Sequence, residues 1–167
     1  MTDTPDVKSS AIISDDGRYR YTLTREWGQG PRICWIMLNP STADVEHDDP
    51  TIRRCIGYAK REGCGSMVVV NLFAFRTTWP KELWAAGIGA PEAANWCYVA
   101  EAISESPVVV AAWGALQRWR ASSSQTWQNI QARRFDVELQ CLGKTKDGSP
   151  RHPLYCRADV PLQRWLP

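Results

Sequence analysis

Apolar residues collect in four runs: Ile33-Cys34-Trp35-Ile36-Met37-Leu38, Met67-Val68-Val69-Val70, Val108-Val109-Val110-Ala111-Ala112-Trp113 and Val137-Glu138-Leu139-Gln140-Cys141-Leu142. Apolarity with little alternation means burial on both faces, the signature of parallel strands covered by helices. A buried helix of this length would look the same, so the intervening segments decide. Across residues 50–61, Ile52, Cys55, Ile56 and Ala59 share a stripe while Arg53, Arg54, Lys60 and Arg61 fall elsewhere. Asp49 before Pro50 is a start signal and Gly63 a stop, so the segment reads as an amphipathic helix. Ala93, Trp96, Cys97, Ala100 and Ile103 repeat the spacing after Pro91, and a third helical region is expected within residues 115–134, broken near Ser122-Ser123-Ser124. Upstream, residues 11–14 and 19–24 are short strand-like runs around Asp15-Asp16-Gly17, which predicts a hairpin. The pattern predicts a three-layer α/β/α fold with a mainly parallel four-stranded central sheet plus an N-terminal β-hairpin.

A length of 167 residues favours a single domain, taken as 10–167 behind a flexible polar N-terminus at 1–9. With 44% hydrophobic and 23% charged residues the chain lies outside the disordered and collagen-like classes. A net charge of +2 is too balanced to identify a polyanionic partner, so any basic patch has to be argued locally. The longest apolar runs fall short of the roughly 20 residues that cross a bilayer, and the N-terminus lacks an apolar signal core, so a soluble cytoplasmic protein with no membrane partner is expected. The six cysteines contain no C-x-x-C pair, which favours buried reduced thiols over disulfides or zinc, and no cofactor is expected. Most of the nine tryptophans suit a core, with one or two left for a stacking surface.

In such a sheet, ligands bind just beyond the carboxyl ends of the strands. Asn39-Pro40-Ser41-Thr42 follows the first run, Asn71 closes the second, Trp113-Gly114 the third, and a loop at 143–153 follows the fourth. Each has a bland account as turn, cap, close helix approach or connector; their convergence on one edge favours a site. Lys144, Lys146 and Arg151 are suited to phosphate oxygens, and His152 to proton exchange near neutral pH. Arg53, Arg54 and Arg76 extend the positive rim. The acidic stretch Asp44-Val45-Glu46-His47-Asp48-Asp49 invites a metal reading but has no recognised ligand spacing, and helix capping by Asp48 or Asp49 is simpler. Ser41 with His152 as nucleophile and base lacks a third orienting group.

Two resemblances arise at these residues. Leu38-Asn39-Pro40-Ser41-Thr42-Ala43-Asp44, Asp48-Asp49-Pro50-Thr51-Ile52-Arg53-Arg54-Cys55, Val70-Asn71-Leu72-Phe73-Ala74, Ala112-Trp113-Gly114 and Gly148-Ser149-Pro150-Arg151-His152-Pro153-Leu154-Tyr155 together look like the bacterial and phage domain-of-unknown-function family 1643, over nearly all of residues 15–165. More remotely, the same positions resemble the uracil-DNA glycosylase superfamily. That resemblance implies a glycosylase-like domain in which Asn39, ahead of Pro40, positions the attacking water. Asn71 would read the edge of a flipped pyrimidine, Trp113-Gly114 would close the third strand, and His152 would stabilise charge on the departing base. Met37 stands where a glycine usually lies, Ser41 replaces the residue shaping the pocket floor, and no Ser-Pro follows His152-Pro153. The clustered cysteines of the iron-sulfur members are missing too. A modified or deaminated base is thus the expected substrate and nucleic acid, as DNA, the expected partner.

Breaking a glycosidic bond builds positive charge on the sugar and negative charge on the base, so donors near the base and a held water near the sugar are required. An asparagine offers a donor and an acceptor together, as base recognition needs. Asp44 would reinforce Asn39 if the chain folds back, and Phe73 or Trp113 would stack on the base. The alternatives are a non-catalytic binder of nucleic acid or nucleotide using the same pocket, and a metal-assisted hydrolase using Asp44, Asp48 and His47.

Overall fold

All four apolar runs become strands of one sheet. The computed structural model describes residues 7–79, 81–85, 92–115 and 137–166. In chain order these form β1 (Lys8–Ile13), β2 (Arg20–Glu26), β3 (Arg32–Met37), α1 (Pro50–Arg61), β4 (Ser66–Asn71), α2 (Glu82–Ala85), α3 (Glu92–Ser104), β5 (Val108–Ala111), β6 (Leu139–Cys141), a 3-10 turn at Pro153–Tyr155 and β7 (Gln163–Arg164). The third helical region expected within 115–134 lies outside the described residues, apart from Ala115.

The expectation of a four-stranded, mainly parallel sheet in three layers is corrected to a mixed α/β fold with one seven-stranded sheet, ordered β1-β2-β4-β3-β5-β6-β7. Pairs β3–β4, β3–β5 and β5–β6 are parallel. Pairs β1–β2, β2–β4 and β6–β7 are antiparallel. The hairpin is part of the sheet because β4 would otherwise present unpaired backbone groups at an edge; β2 supplies their partners, as β7 does beside β6. β1 begins at Lys8, inside the stretch expected to be loose.

Helix α1 starts where Asp49 accepts a bond from the Ile52 amide at 2.8 Å, with Pro50 at its first position. It buries Ile52, Cys55, Tyr58 and Ala59 against one sheet face, where Trp35, Met37, Met67 and Val69 point. The opposite face carries Ile36, Val70, Val109 and Ala111 beneath Trp96, Val99 and Ile103 of α3. Alternation along each strand thus feeds two apolar clusters, each fully buried aliphatic side chain contributing about 1.5–3 kcal/mol. Gly65 permits a tight backbone crossing: a Cβ there would lie 2.4 Å from the carbonyl oxygen of Gly28.

A bulge interrupts the hairpin. Ile12 pairs with Thr22 and Ile13 with Arg20, leaving Tyr21 unopposed. The extra residue re-aims its neighbours. Tyr21 stacks on Tyr98 of α3 with ring centroids 4.8 Å apart, while Arg20 turns to the face used by Leu23 and Arg25 and reaches Ala43.

The described residues include all six cysteines, none in a disulfide and five of them buried. Burial pushes the Cys34 thiol up to about 12 and raises that of Cys55 as well, so these sulfurs remain protonated. Among the described residues no helix is long and apolar enough to cross a membrane.

Candidate functional site

Three neighbouring strands, β4, β3 and β5, end together, and the polar residues beyond them form a row along that edge. Asn71 is the last residue of β4, paired with Met37 and on the face of Met67 and Val69. It is 1% exposed, yet among the described residues neither its side-chain nitrogen nor its oxygen has a hydrogen-bond partner. Its backbone carbonyl is occupied, accepting from Asn95 Nδ2 of α3 at 2.9 Å. A buried carboxamide left in this way costs about 1–3 kcal/mol.

Beyond β3, Asn39 Nδ2 donates to the carbonyls of Thr77 at 2.7 Å and Pro40 at 3.0 Å, and the Thr77 amide donates back to Pro40 at 2.9 Å. The amide hydrogens of Asn39 therefore fasten two loops together, and Oδ1 is the atom left to hold a water. Pro40 is buried beneath this clasp.

Beyond β5, the Gly114 amide donates to the Pro150 carbonyl at 3.0 Å, and the Cβ that Gly114 lacks would lie 3.5 Å from the His152 Cβ. Its φ of +83° belongs to the left-handed region open to glycine. Both features seat the 143–153 loop against the end of β5. His152 caps the 3-10 turn, its Nδ1 accepting from the Leu154 amide at 3.2 Å, so in the neutral ring the proton sits on Nε2. Burial holds the imidazole below its ordinary value against the opposing pull of Asp49. His152 is therefore a neutral donor near pH 7.

The acidic loop serves the fold. Asp44 Oδ1 accepts from the amides of Glu46 and His47, each at 2.9 Å, and these bonds lower its pKa. Asp48 pairs with Arg25 at 2.8 Å and Asp49 caps α1. The carboxylates named for a metal-assisted reaction are thus engaged, and among the described residues no group of three His, Cys, Asp or Glu side chains is arranged to hold a metal ion.

Two arginines escaped the sequence reading. Arg25 is 1% exposed and also donates to the Asp44 carbonyl at 2.5 Å; Arg20 is 2% exposed and donates to the Ala43 carbonyl at 2.5 Å, with its Nε unpaired. Burial lowers Arg20 to about 10, opposed by Asp49 and assisted by Arg76 and Arg25, and the guanidinium stays charged at neutral pH. Alternation of Arg25 with Leu23 was the available signal; the bulge that turns Arg20 inward leaves none.

The remaining candidates are dispersed. Ser41 and Arg76 line an open hollow of about 400 Å³ with Thr42, Arg18 and Phe75, where Arg76 donates to the Gly17 carbonyl at 3.2 Å. Phe73 and Trp113 are core residues on the α3 face, and Trp113 meets Trp165 edge-on at 5.0 Å, which corrects the expectation of a stacking surface there. In the late loop, Lys144 donates to the Leu166 carbonyl at 2.5 Å and Arg151 to the Lys144 carbonyl at 3.2 Å, while Lys146 is exposed. Arg53 and Arg54 lie on α1.

No curated protein and no solved structure matches the chain. A family model matches residues 20–154, which hold β2 to β6, the edge row and the two buried arginines. The chain belongs to that family, described as protein of unknown function (DUF1643).

Proposed function

We propose that the strand-edge site binds a heterocyclic base and hydrolyses the N-glycosidic bond joining a modified or deaminated base to a nucleic-acid strand. The observation that carries this reading is the Asn71 carboxamide, buried at a strand end with its donor and acceptor both unpaired. A base edge presents the complementary acceptor and donor, and its arrival would recover the desolvation cost of that amide. His152, a neutral Nε2–H donor, suits a base oxygen gaining negative charge, and Asn39 Oδ1 suits a water aimed at the sugar. In the reaction, water oxygen bonds to the anomeric carbon and gives up a proton to solvent, the carbon–nitrogen bond breaks, and the base leaves with the bonding pair to be protonated from solvent. The resemblance to uracil-DNA glycosylases agrees with these roles.

The test is incubation with oligonucleotides carrying a panel of altered bases, followed by alkali to cut abasic sites. Scission by wild type that is lost in Asn71→Val and reduced in His152→Gln supports the reading; no scission with any base defeats it. A second reading, binding without turnover, is favoured by one observation: Asn39 Nδ2 and Asp44 Oδ1 both hold loops, so the carboxylate expected to reinforce Asn39 serves the backbone of its own turn. Binding that depends on Asn71 with no scission is its signature.

A further inference from the structure

A second feature lies on the outer side of α1. Arg53, Arg54, Gly57, Arg61, Leu154 and Ala158 line an open groove of about 500 Å³ between this helix and the 3-10 turn. Arg61 is held on the wall: it donates to the Ala158 carbonyl at 2.7 Å, pairs with Glu62 at 2.6 Å and lies over the Tyr58 ring at 4.9 Å. Arg53 donates to the Asp48 carbonyl. Arg54, half-buried, makes no side-chain hydrogen bond or ion pair among the described residues. Three guanidiniums thus face the groove, one of them paired with Glu62.

Gly57 gives the floor a meaning. A glycine inside a helix costs about 1 kcal/mol relative to alanine. Packing does not demand it here, because no atom lies within 4 Å of the Cβ it lacks and the residue is exposed. What it does provide is clearance along the groove. Arg54 and Arg61 stand seven residues apart, roughly 10 Å along the helix axis, further than one phosphate group spans.

We propose that this groove docks the phosphodiester backbone of a nucleic-acid strand, with Arg54 and Arg61 on successive phosphate oxygens and the chain passing over Gly57. The inference rests on nucleic acid as the ligand of the strand-edge site and adds where the strand is held. Such contacts grip without reading sequence and weaken with salt.

Fluorescence anisotropy of a short labelled single-stranded oligonucleotide tests it, using wild type, Arg54→Gln, Gly57→Glu and Gly57→Ala. Arg54→Gln is expected to raise Kd about 5- to 20-fold and to reduce the slope of log Kd against log salt by about 1. Gly57→Glu is expected to weaken binding at least as much, by filling and repelling. Gly57→Ala is the folding control, expected to raise Tm by about 2–4 °C and to perturb binding less than Gly57→Glu. Unchanged Kd in Arg54→Gln and Gly57→Glu, or no oligonucleotide binding by wild type, overturns the proposal. Inorganic phosphate that competes as well as the oligonucleotide, per phosphate, overturns it in favour of a small-anion site. The two proposals fail separately: wild type that binds through Arg54 but releases no base retains the groove and loses the reaction, whereas base release that ignores Arg54 and Gly57 does the reverse.

Discussion

Replacing Asn71 by valine separates stability from function. The side chain is 1% exposed with both polar atoms unpaired, so the free protein carries a desolvation cost that valine would remove. That cost is about 1–3 kcal/mol. Valine adds apolar contact beside Met37 and suits a central strand, while its different shape gives back up to about 1 kcal/mol in packing strain. The expected net effect is a gain of up to about 3 kcal/mol, which for a chain of this size raises Tm by up to roughly 12 °C. Urea unfolding of wild type and Asn71→Val, read by tryptophan fluorescence with equal m-values, measures the difference. The same variant should lose base release. A destabilisation of more than about 1 kcal/mol would refute the argument, because it would mean the amide is already satisfied and holds the fold together. A stabilised variant that retains base release would refute its assignment to the site.

Other outcomes follow from the buried charges and the imidazole. Asp48→Ala leaves Arg25 buried with carbonyl partners alone; the 29% exposure of Asp48 keeps the loss below that of a fully buried pair, at about 2–3 kcal/mol. A double-mutant cycle with Arg25→Met should show coupling above about 1 kcal/mol, and coupling below about 0.5 kcal/mol would count against the pair. His152 titrates below its ordinary value because burial disfavours the imidazolium, so the unfolded chain takes up the proton first as pH falls. Its contribution to stability is complete above about pH 6.5 and is lost as pH drops through the depressed native value. His152→Gln should therefore show a shallower loss of stability than wild type as pH falls below about 6.5, and parallel curves would contradict the burial argument.

Much of the framework was legible because it is local. The helix at 50–61 appeared in the sequence with its Asp49 cap, Pro50 start and apolar stripe, since capping and 3.6-residue periodicity depend on neighbours in the chain. The four apolar runs marked buried strands, with Asn71 closing β4 and Asn39 just beyond β3. Tertiary structure alone decided what those residues do there. Pairing of β2 with β4, the cover of β6 by two-residue β7 and the bulge at Tyr21 depend on backbone bonds between distant segments, which composition does not encode. The same holds for side-chain roles. Asn39 acts as a clasp because Thr77 arrives beside it, Trp113 is core because Trp165 returns from the far end, and Asn71 is unpaired because none of the described residues brings a polar atom to its carboxamide. A chain specifies which groups it carries and their local geometry; whether a polar atom meets a partner is settled only when remote segments pack around it.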